Sequence, residues 1–316
     1  TTPVVIDGWK TDAEHYIKIY TPETARHNGK WDNTKYRLGV SAGWDYALQN
    51  KEDYTQIIGL QIKNTANSGR GIYNNDAKGS LWDKLIIHIT GAGTVIGAYL
   101  DNPNSSPYSY FRNSVIYGAG TGDGVYILKW GDYWHVYNVT VADFDEGVKV
   151  SSADDGGRLH MKNVVVFNST TSNWVNLSDT NKSHNASDDA DASDIPGTNS
   201  QPNVSSSDFE DYNNKDFHIA NGSTKLKDTG TDLSSYFSDD IDGQNRIGTW
   251  DIGADEKSEI TYLKGDLNQD NKVNSLDFQI LIQKFKETQN IEIEDLNSDG
   301  IVDVEDIGIL MHYWTN

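Results

Sequence analysis

The chain has 316 residues, no cysteine, two methionines and a formal net charge of -21. That length suits one large domain and a small one. The lack of cysteine excludes a disulfide framework and thiol catalysis, and the acidity argues against nucleic acid and anionic membrane surfaces, whose charges would repel it.

The chain opens on TTPVV, without an initiator Met or a charged-then-apolar leader, and so reads as a mature or trimmed product. No apolar run approaches the ~18 residues of a membrane span. Residues 1–56 hold short β-like runs, among them Tyr16, Ile17, Lys18, Ile19, Tyr20 and Tyr36, Arg37, Leu38, Gly39, Val40, around a polar loop at 24–33. A repeat follows. One phrase recurs as Gly71-Ile72-Tyr73, Gly97-Ala98-Tyr99-Leu100, Gly124-Val125-Tyr126-Ile127, Gly147-Val148-Lys149-Val150 and Trp174-Val175-Asn176-Leu177, at spacings of 26, 27, 23 and 27. A second apolar phrase precedes each, and Asn113, Asn138 and Asn163 fall 25 apart, just ahead of three of them. Two or three short strands per ~25 residues, with Gly and Asn at the corners, describe one turn of a parallel β-helix. A β-sandwich would need antiparallel hairpins with tight turns, and a register held over five phrases favours the solenoid.

Strand alternation turns Ile72, Ala98, Leu100, Val125, Ile127, Val148 and Val150 inward. It turns Tyr73, Tyr99 and Tyr126 outward as a column, continued by Lys149 and Asn176. Such a column suits flat sugar faces or a protein partner, although tyrosines also stack on their own kind in any solenoid. Asn113, Asn138 and Asn163 are expected to form an internal amide ladder at a corner.

Residues 178–207 lose the periodicity and read as a long polar excursion. Then come Asp216, Phe217, His218, Ile219, the turn Asp240, Ile241, Asp242, Gly243, Gln244, Asn245, Arg246, and the run Trp250, Asp251, Ile252, Gly253, Ala254, Asp255, Glu256. This succession resembles the end of secreted right-handed β-helix proteins, including those grouped by a variable C-terminal anchor. The resemblance implies that these segments close the helix, with Arg246 bonding backbone or carboxylate in the closing turn. Relatives begin with a capping helix and a first coil. Here the cap lies in sequence not shown, or the first 50 residues serve, or a neighbouring molecule covers the end.

A β-helix lyase would need a base and a charge-neutralising group along a groove. The candidate set is Lys149, Arg158 and His160, with His135 and Arg112 before them. A glycoside hydrolase would need paired carboxylates, for which Asp143, Asp145, Glu146, Asp154 and Asp155 are candidates. Neither set carries a family signature, and six arginines in so acidic a chain make a poor surface for uronans. No catalytic residue is assigned.

The last 60 residues carry one twelve-residue phrase twice, at 266–277 and 295–306. Oxygen-bearing side chains fall at loop positions 1, 3, 5, 9 and 12, with a backbone carbonyl at 7. This spacing lets a short loop wrap six or more oxygens around calcium. The candidate ligands are Asp266, Asn268, Asp270, the Lys272 carbonyl, Asn274 and Asp277, then Asp295, Asn297, Asp299, the Ile301 carbonyl, Asp303 and Asp306. Gly300 takes the left-handed turn of its loop, with Asn271 at the same place in the first copy. Amphipathic segments follow at 278–285 and 307–314. A doubled calcium loop with only the exiting helix resembles a type I dockerin, the module that plugs into cohesins on other secreted proteins. The resemblance places partner recognition at loop positions 10 and 11, here Ser275, Leu276 and Val304, Glu305.

The fold expected is therefore all-β, a right-handed parallel β-helix over 1–256, followed by a linker and a small α-helical dockerin with two calcium ions over 257–316. The function expected is that of a secreted, extracellular or cell-surface, calcium-dependent, non-catalytic structural or binding protein. It would attach through a cohesin or to neighbouring copies of itself, as a filament, with polysaccharide as a further partner. The alternative is a dockerin-targeted β-helix lyase or glycoside hydrolase. Eight Asn-x-Ser/Thr sequons, at Asn104, Asn138, Asn168, Asn176, Asn181, Asn185, Asn203 and Asn221, make it a candidate glycoprotein. Asn138 cannot be both a buried ladder member and a glycan acceptor.

Overall fold

The computed structural model describes residues 2–41, 45–103, 105–128, 133–152, 158–257, 264–268, 272–288, 294–297 and 299–315. They divide into two compact units, Thr1–Ser258 and Glu259–Asn316. Most of the expected linker at 257–265, from 258 to 263, lies outside the described residues.

The first unit is a parallel β-solenoid of about six turns. The strands run, turn by turn, as β1 (Val4–Ile6), β2 (Lys18–Tyr20) and β3 (Arg37–Val40), then β4 (Tyr46–Asn50), β5 (Gln56–Ile58) and β6 (Gln61–Asn64). Next come β7 (Arg70–Asn74), β8 (Leu81–Asp83) and β9 (Ile86–Ile89), then β10 (Ile96–Leu100) with the long β11 (Ser109–Tyr117), and β12 (Asp123–Ile127) with β13 (Trp134–Ala142). The series ends with β14 (Glu146–Val150), β15 (His160–Lys162) and β16 (Val165–Phe167), and β17 (Ser172–Val175), β18 (Lys182–Ser183) and β19 (Ala186–Ser187). Like strands of successive turns pair in parallel. The order β1-β4-β7-β10-β12-β14-β17 makes a first sheet of seven strands, and the others make a second sheet of twelve.

The interior is apolar because alternate strand residues point inward. Ile72, Ala98, Leu100, Val125, Ile127, Val148 and Val150 are all fully buried, beside Trp82, Trp134, Phe111 and Phe144. The glycine that opens the recurring phrase is explained by close approach between turns. A Cβ on Gly71 or Gly97 would lie 2.5 Å from the carbonyl oxygen of the next turn, and one on Gly124 or Gly147 would lie 2.7 Å from it. The asparagine spacing has another cause. Gly59, Lys84, Asn113, Asn138, Asn163 and His184 occupy one corner, all with φ between 45° and 70°, where asparagine is tolerated better than most residues. At this corner only Asn163 donates to another asparagine, to Asn138 Oδ1 at 3.3 Å. The expected ladder is thus reduced to one rung. A second amide pair stands at another corner, where Asn50 donates to Asn74 Oδ1 at 3.0 Å.

Two expectations are corrected. The fifth copy of the phrase is slipped by one residue: Lys149 pairs with Val175 and Val148 with Trp174. Asn176 therefore does not continue the tyrosine column; it sits at a positive φ of 61° and donates to Val150 O at 3.0 Å. Residues 178–207 are not an excursion. They supply β18 and β19, and Thr198 and Gln201 form parallel bridges to Ser183 and Ala186. Small and hydrogen-bonded residues fill this turn, with Lys182, Asn185, Ala186, Ser187 and Ile195 buried. It therefore shows no apolar period.

Residues 208–256 pack on the outside of the second sheet. β20 (Phe209–Asp211) and β21 (Asp216–Ile219) form an antiparallel pair. Phe209, Phe217, Ile219, Leu226, Ile241, Ile252 and Ala254 join the outward-facing Ile86, Val115, Tyr117, Val165 and Phe167 in a second apolar cluster. Arg246 is the pin of this closure. Its guanidinium, buried with Glu256 at 3.0 Å, also donates to Asn113 Oδ1 and to the carbonyls of Gly253 and Ala254. Asn138 in turn donates to the carbonyls of Asp251 and Gly253.

The second unit packs two helices, α1 (Ser275–Gln283) and α2 (Val304–His312), on a core of Leu267, Val273, Leu281, Val302 and Leu310. Both begin three residues before the expected amphipathic segments, directly at the loops. Among the described residues no helix is long and apolar enough to cross a membrane.

Candidate functional site

The two loops of the small unit are built by the same residues that start its helices. Asn274 and Asp303, at loop position 9, are the N-caps of α1 and α2, and each closes a capping box with the aspartate at position 12. Such reciprocal bonds satisfy amides that a helix start leaves free. Asp277 accepts from the backbone N–H of Leu267, Asn268 and Asn274 at 2.8–3.0 Å. Asp306 does the same for Leu296, Asn297 and Asp303 at 2.7–3.2 Å. In the second loop Asp295 accepts from Asp299 N at 3.1 Å and Gly300 N at 2.8 Å, while Gly300 holds a φ of 91°. Val273 and Val302, at position 8 of the two loops, are buried side by side with Leu281 and Leu310.

These residues fit a hard divalent cation. The donor set is all oxygen, and Asp277 and Asp306 are fully buried carboxylates that meet only backbone N–H groups among the described residues. Burying an ionised carboxylate without a cation is costly. Of the remaining candidates, Asp266 is buried, Asn268, Asn274, Asp295, Asn297, Ile301 and Asp303 are half-buried, and Lys272 and Asp299 are exposed. Asp270 and Asn271 lie outside the described residues. The recognition positions face solvent. Ser275 and Glu305 are exposed, and so are two apolar side chains, Leu276 at 52% and Val304 at 67%.

On the solenoid, Tyr73, Tyr99 and Tyr126 stand in register on the first sheet. Their ring centroids are 4.7 and 5.0 Å apart. The Arg70 guanidinium lies over the first two rings, 5.3 and 5.0 Å from their centroids. All three are half-buried, and burial raises the Tyr99 hydroxyl to about 12.

The two catalytic sets fare differently. Lys149 belongs to the first sheet, whereas Arg112, His135 and His160 belong to the second, and Arg158 leads into β15. The basic set therefore shares no groove. Arg112 pairs with Asp83 at 2.9 Å, and Arg158 lies 5.2 Å from the Tyr133 ring centroid. The His135 and His160 rings lie 4.6 Å apart, tilted by 41°, and burial, helped by the neighbouring His160, holds His135 down to about 3. Among the carboxylates, Asp143 is taken up by Lys215, Tyr212 and Asn168. Asp145 accepts from Thr170 and Thr171, and Glu146 pairs with Lys149. Asp154 and Asp155 lie outside the described residues. Sequence reasoning passed over Asp123, the register partner of Glu146. The signal was an acidic residue just before the phrase glycine in two successive turns.

Two sequons are corrected. Asn138 and Asn185 are fully buried and donate their amides internally, which leaves no room for a glycan. Asn168, Asn176, Asn181, Asn203 and Asn221 are exposed, and Asn104 lies outside the described residues.

One group of His and carboxylate side chains could hold a metal among the described residues, His218, Asp242 and Asp255, with ligand atoms within 4.8 Å of one another. Burial opposes a charge on His218. Hydrogen bonds to Asp216 and Asp242 override it and raise the imidazole to about 11, so a proton already fills this clamp.

Compared with known families, residues 264–315 match the dockerin type I domain. No curated protein and no solved structure matches the chain. A dockerin implies attachment to a cohesin-bearing scaffold, and the loop-and-helix pair described above is the part that would engage it. The small unit of this chain is a dockerin type I domain, following in sequence a parallel β-solenoid of about six turns.

Proposed function

We propose that the chain is a secreted, non-catalytic binding or structural protein, a stiff β-helix displayed by docking residues 264–315 on a cohesin-bearing partner. Docking depends on two calcium ions held by 266–277 and 295–306, and the recognition positions are Ser275, Leu276, Val304 and Glu305. The observation that carries this reading is the dockerin match together with the exposed apolar side chains Leu276 and Val304, each set just past an N-cap that is also a candidate calcium ligand. Ordering the loops on calcium would present both helix starts to the partner. The tyrosine column on the solenoid is then the surface offered to a ligand.

The test is surface plasmon resonance of the full chain over a panel of immobilised cohesins, in calcium and in EGTA. Capture in calcium that disappears in EGTA is expected, with Leu276→Asp combined with Val304→Asp weakening it at least about 100-fold. Capture that persists in EGTA removes the calcium dependence. Failure of every cohesin to capture the chain overturns the proposal.

A further inference from the structure

A cleft of about 450 Å³ opens beside the tyrosine column, lined by Thr94, Thr121, Asp123, Asp145, Glu146 and Lys149 from successive turns, with glycines at the rim. Asp123 and Glu146 face each other across adjacent strands. Lys149 Nζ pairs with Glu146 and lies 3.7 Å from Asp123. Asp123 is only 5% exposed, although it lines the cleft. Burial and the hydrogen-bonded Glu146 raise its carboxyl to about 6. Lys149 also reaches 6.0 Å from the centroid of the Tyr126 ring, so the cleft adjoins one end of the column.

The chemistry of the walls excludes several occupants. Three carboxylates against one lysine repel a uronate or a phosphate. Lys149 stands between Asp123 and Glu146, where a cation would have to sit. The lining is too polar for an apolar ligand. A neutral polyhydroxyl compound meets none of these objections. Its hydroxyls donate to the carboxylates and accept from Lys149, charge-assisted bonds that are stronger than neutral ones. The C–H face of its ring packs on tyrosine. The steps of 4.7 and 5.0 Å between tyrosine rings are close to the length of one pyranose unit, which allows one sugar ring per turn of the solenoid.

We propose that this cleft is a saccharide subsite, in which Asp123, Glu146 and Lys149 bind the hydroxyls of a neutral pyranose while the oligosaccharide continues along Tyr126, Tyr99 and Tyr73. The proposal rests on the reading of the β-helix as a binding surface and is independent of how the small unit docks.

Calorimetric titration of the full chain with cellohexaose, xylohexaose and mannohexaose, and with hexagalacturonate as the anionic control, tests it. At least one neutral hexaose is expected to bind with Kd below ~1 mM, and hexagalacturonate at least about tenfold more weakly. Asp123→Asn and Tyr126→Ser each weaken binding about tenfold or more, while Tyr126→Phe, which keeps the stacking face, retains it. Melting temperatures close to the parent's show that the variants fold. No neutral hexaose binding by ~10 mM overturns the proposal, as do hexagalacturonate binding as tightly and a Tyr126→Ser variant that binds unchanged. Cohesin capture is read separately, so losing the saccharide leaves the docking reading standing. Release of reducing ends from a bound hexaose would keep the subsite and overturn the non-catalytic reading.

Discussion

The two units solve the stability problem in opposite ways. The solenoid stacks like on like, so each turn buries its neighbour's apolar face and a long core grows without a disulfide. Its tyrosine column runs through three of about six turns and its glycine column through four. Among its described residues the small unit has five buried apolar side chains at its centre and two buried aspartates with only backbone amides around them. A core of that size is marginal by itself, and a metal that binds only the folded loops adds its binding free energy to folding. The difference suggests where each unit is vulnerable: the solenoid to crowding and to loss of its pins, the dockerin to loss of the calcium proposed for its loops.

The sharpest way to break the comparison is to remove calcium. EGTA is expected to lower the melting of the small unit by about 20 °C or more and to leave the solenoid transition in place, as seen by calorimetry or by resolved NMR signals. A single transition that moves as a whole would end the comparison. Next in size is Arg246→Ala, which leaves Glu256 buried without its partner. Loss of one member of a buried pair costs about 3–5 kcal/mol, measurable as a shift of the solenoid's urea midpoint with the calcium-bound dockerin unchanged.

A pair of glycine substitutions sharpens the contrast at smaller scale. In Gly97→Ala the new Cβ meets Ile116 Cγ2 at 2.4 Å and Gly124 O at 2.5 Å, so overpacking of about 1–3 kcal/mol falls on the solenoid. In Gly300→Ala nothing stands within 4 Å, and φ is 91°. Its cost of about 1 kcal/mol is conformational and should appear as weaker calcium binding by titration calorimetry.

The smallest expected effect is on pH dependence. Burial raises Asp251 to about 6, and Asp255 and Glu256 to about 7. The folded solenoid therefore holds protons that the unfolded chain releases. This contribution is complete below the ordinary carboxylate range and is lost as pH rises towards 7. Asp216, which its hydrogen bonds to His218 hold down to about 2 against the pull of burial, titrates below this window. Between about pH 5 and pH 7.5 the solenoid melt should fall by a few degrees. A solenoid melt that holds or rises over that interval would count against the buried acids as the cause.

The legible parts of the sequence are those where chemistry is local or strictly repeated. Gly71, Gly97, Gly124 and Gly147 mark a close approach that recurs in four successive turns. Asn113, Asn138 and Asn163 mark a left-handed corner. The duplicated loop phrase specifies its own N-caps and candidate calcium donors, because a loop ligand and a helix cap both need a short oxygen-bearing side chain at the same place. The Arg246 turn is legible for a related reason, since an arginine among so many carboxylates and carbonyls has partners close at hand.

Other features depend on neighbours far along the chain. The one-residue slip at Asn176 is invisible in the phrase itself, since period-two text reads equally well in either register; it is set by the pairing of Ser172 with Glu146. Residues 178–207 show no apolar period because Asn185 and Lys182 enter the turn through hydrogen bonds rather than apolar faces. The cleft beside the tyrosine column needs Asp123 and Glu146 brought side by side by the stacking of turns. The sequence by itself therefore determined the class of fold, the place of the corners and the doubled loop of the dockerin, all written in spacings. Only the tertiary structure decided which asparagines are buried, where the register slips and which carboxylates share a wall, because each depends on turns stacked through space.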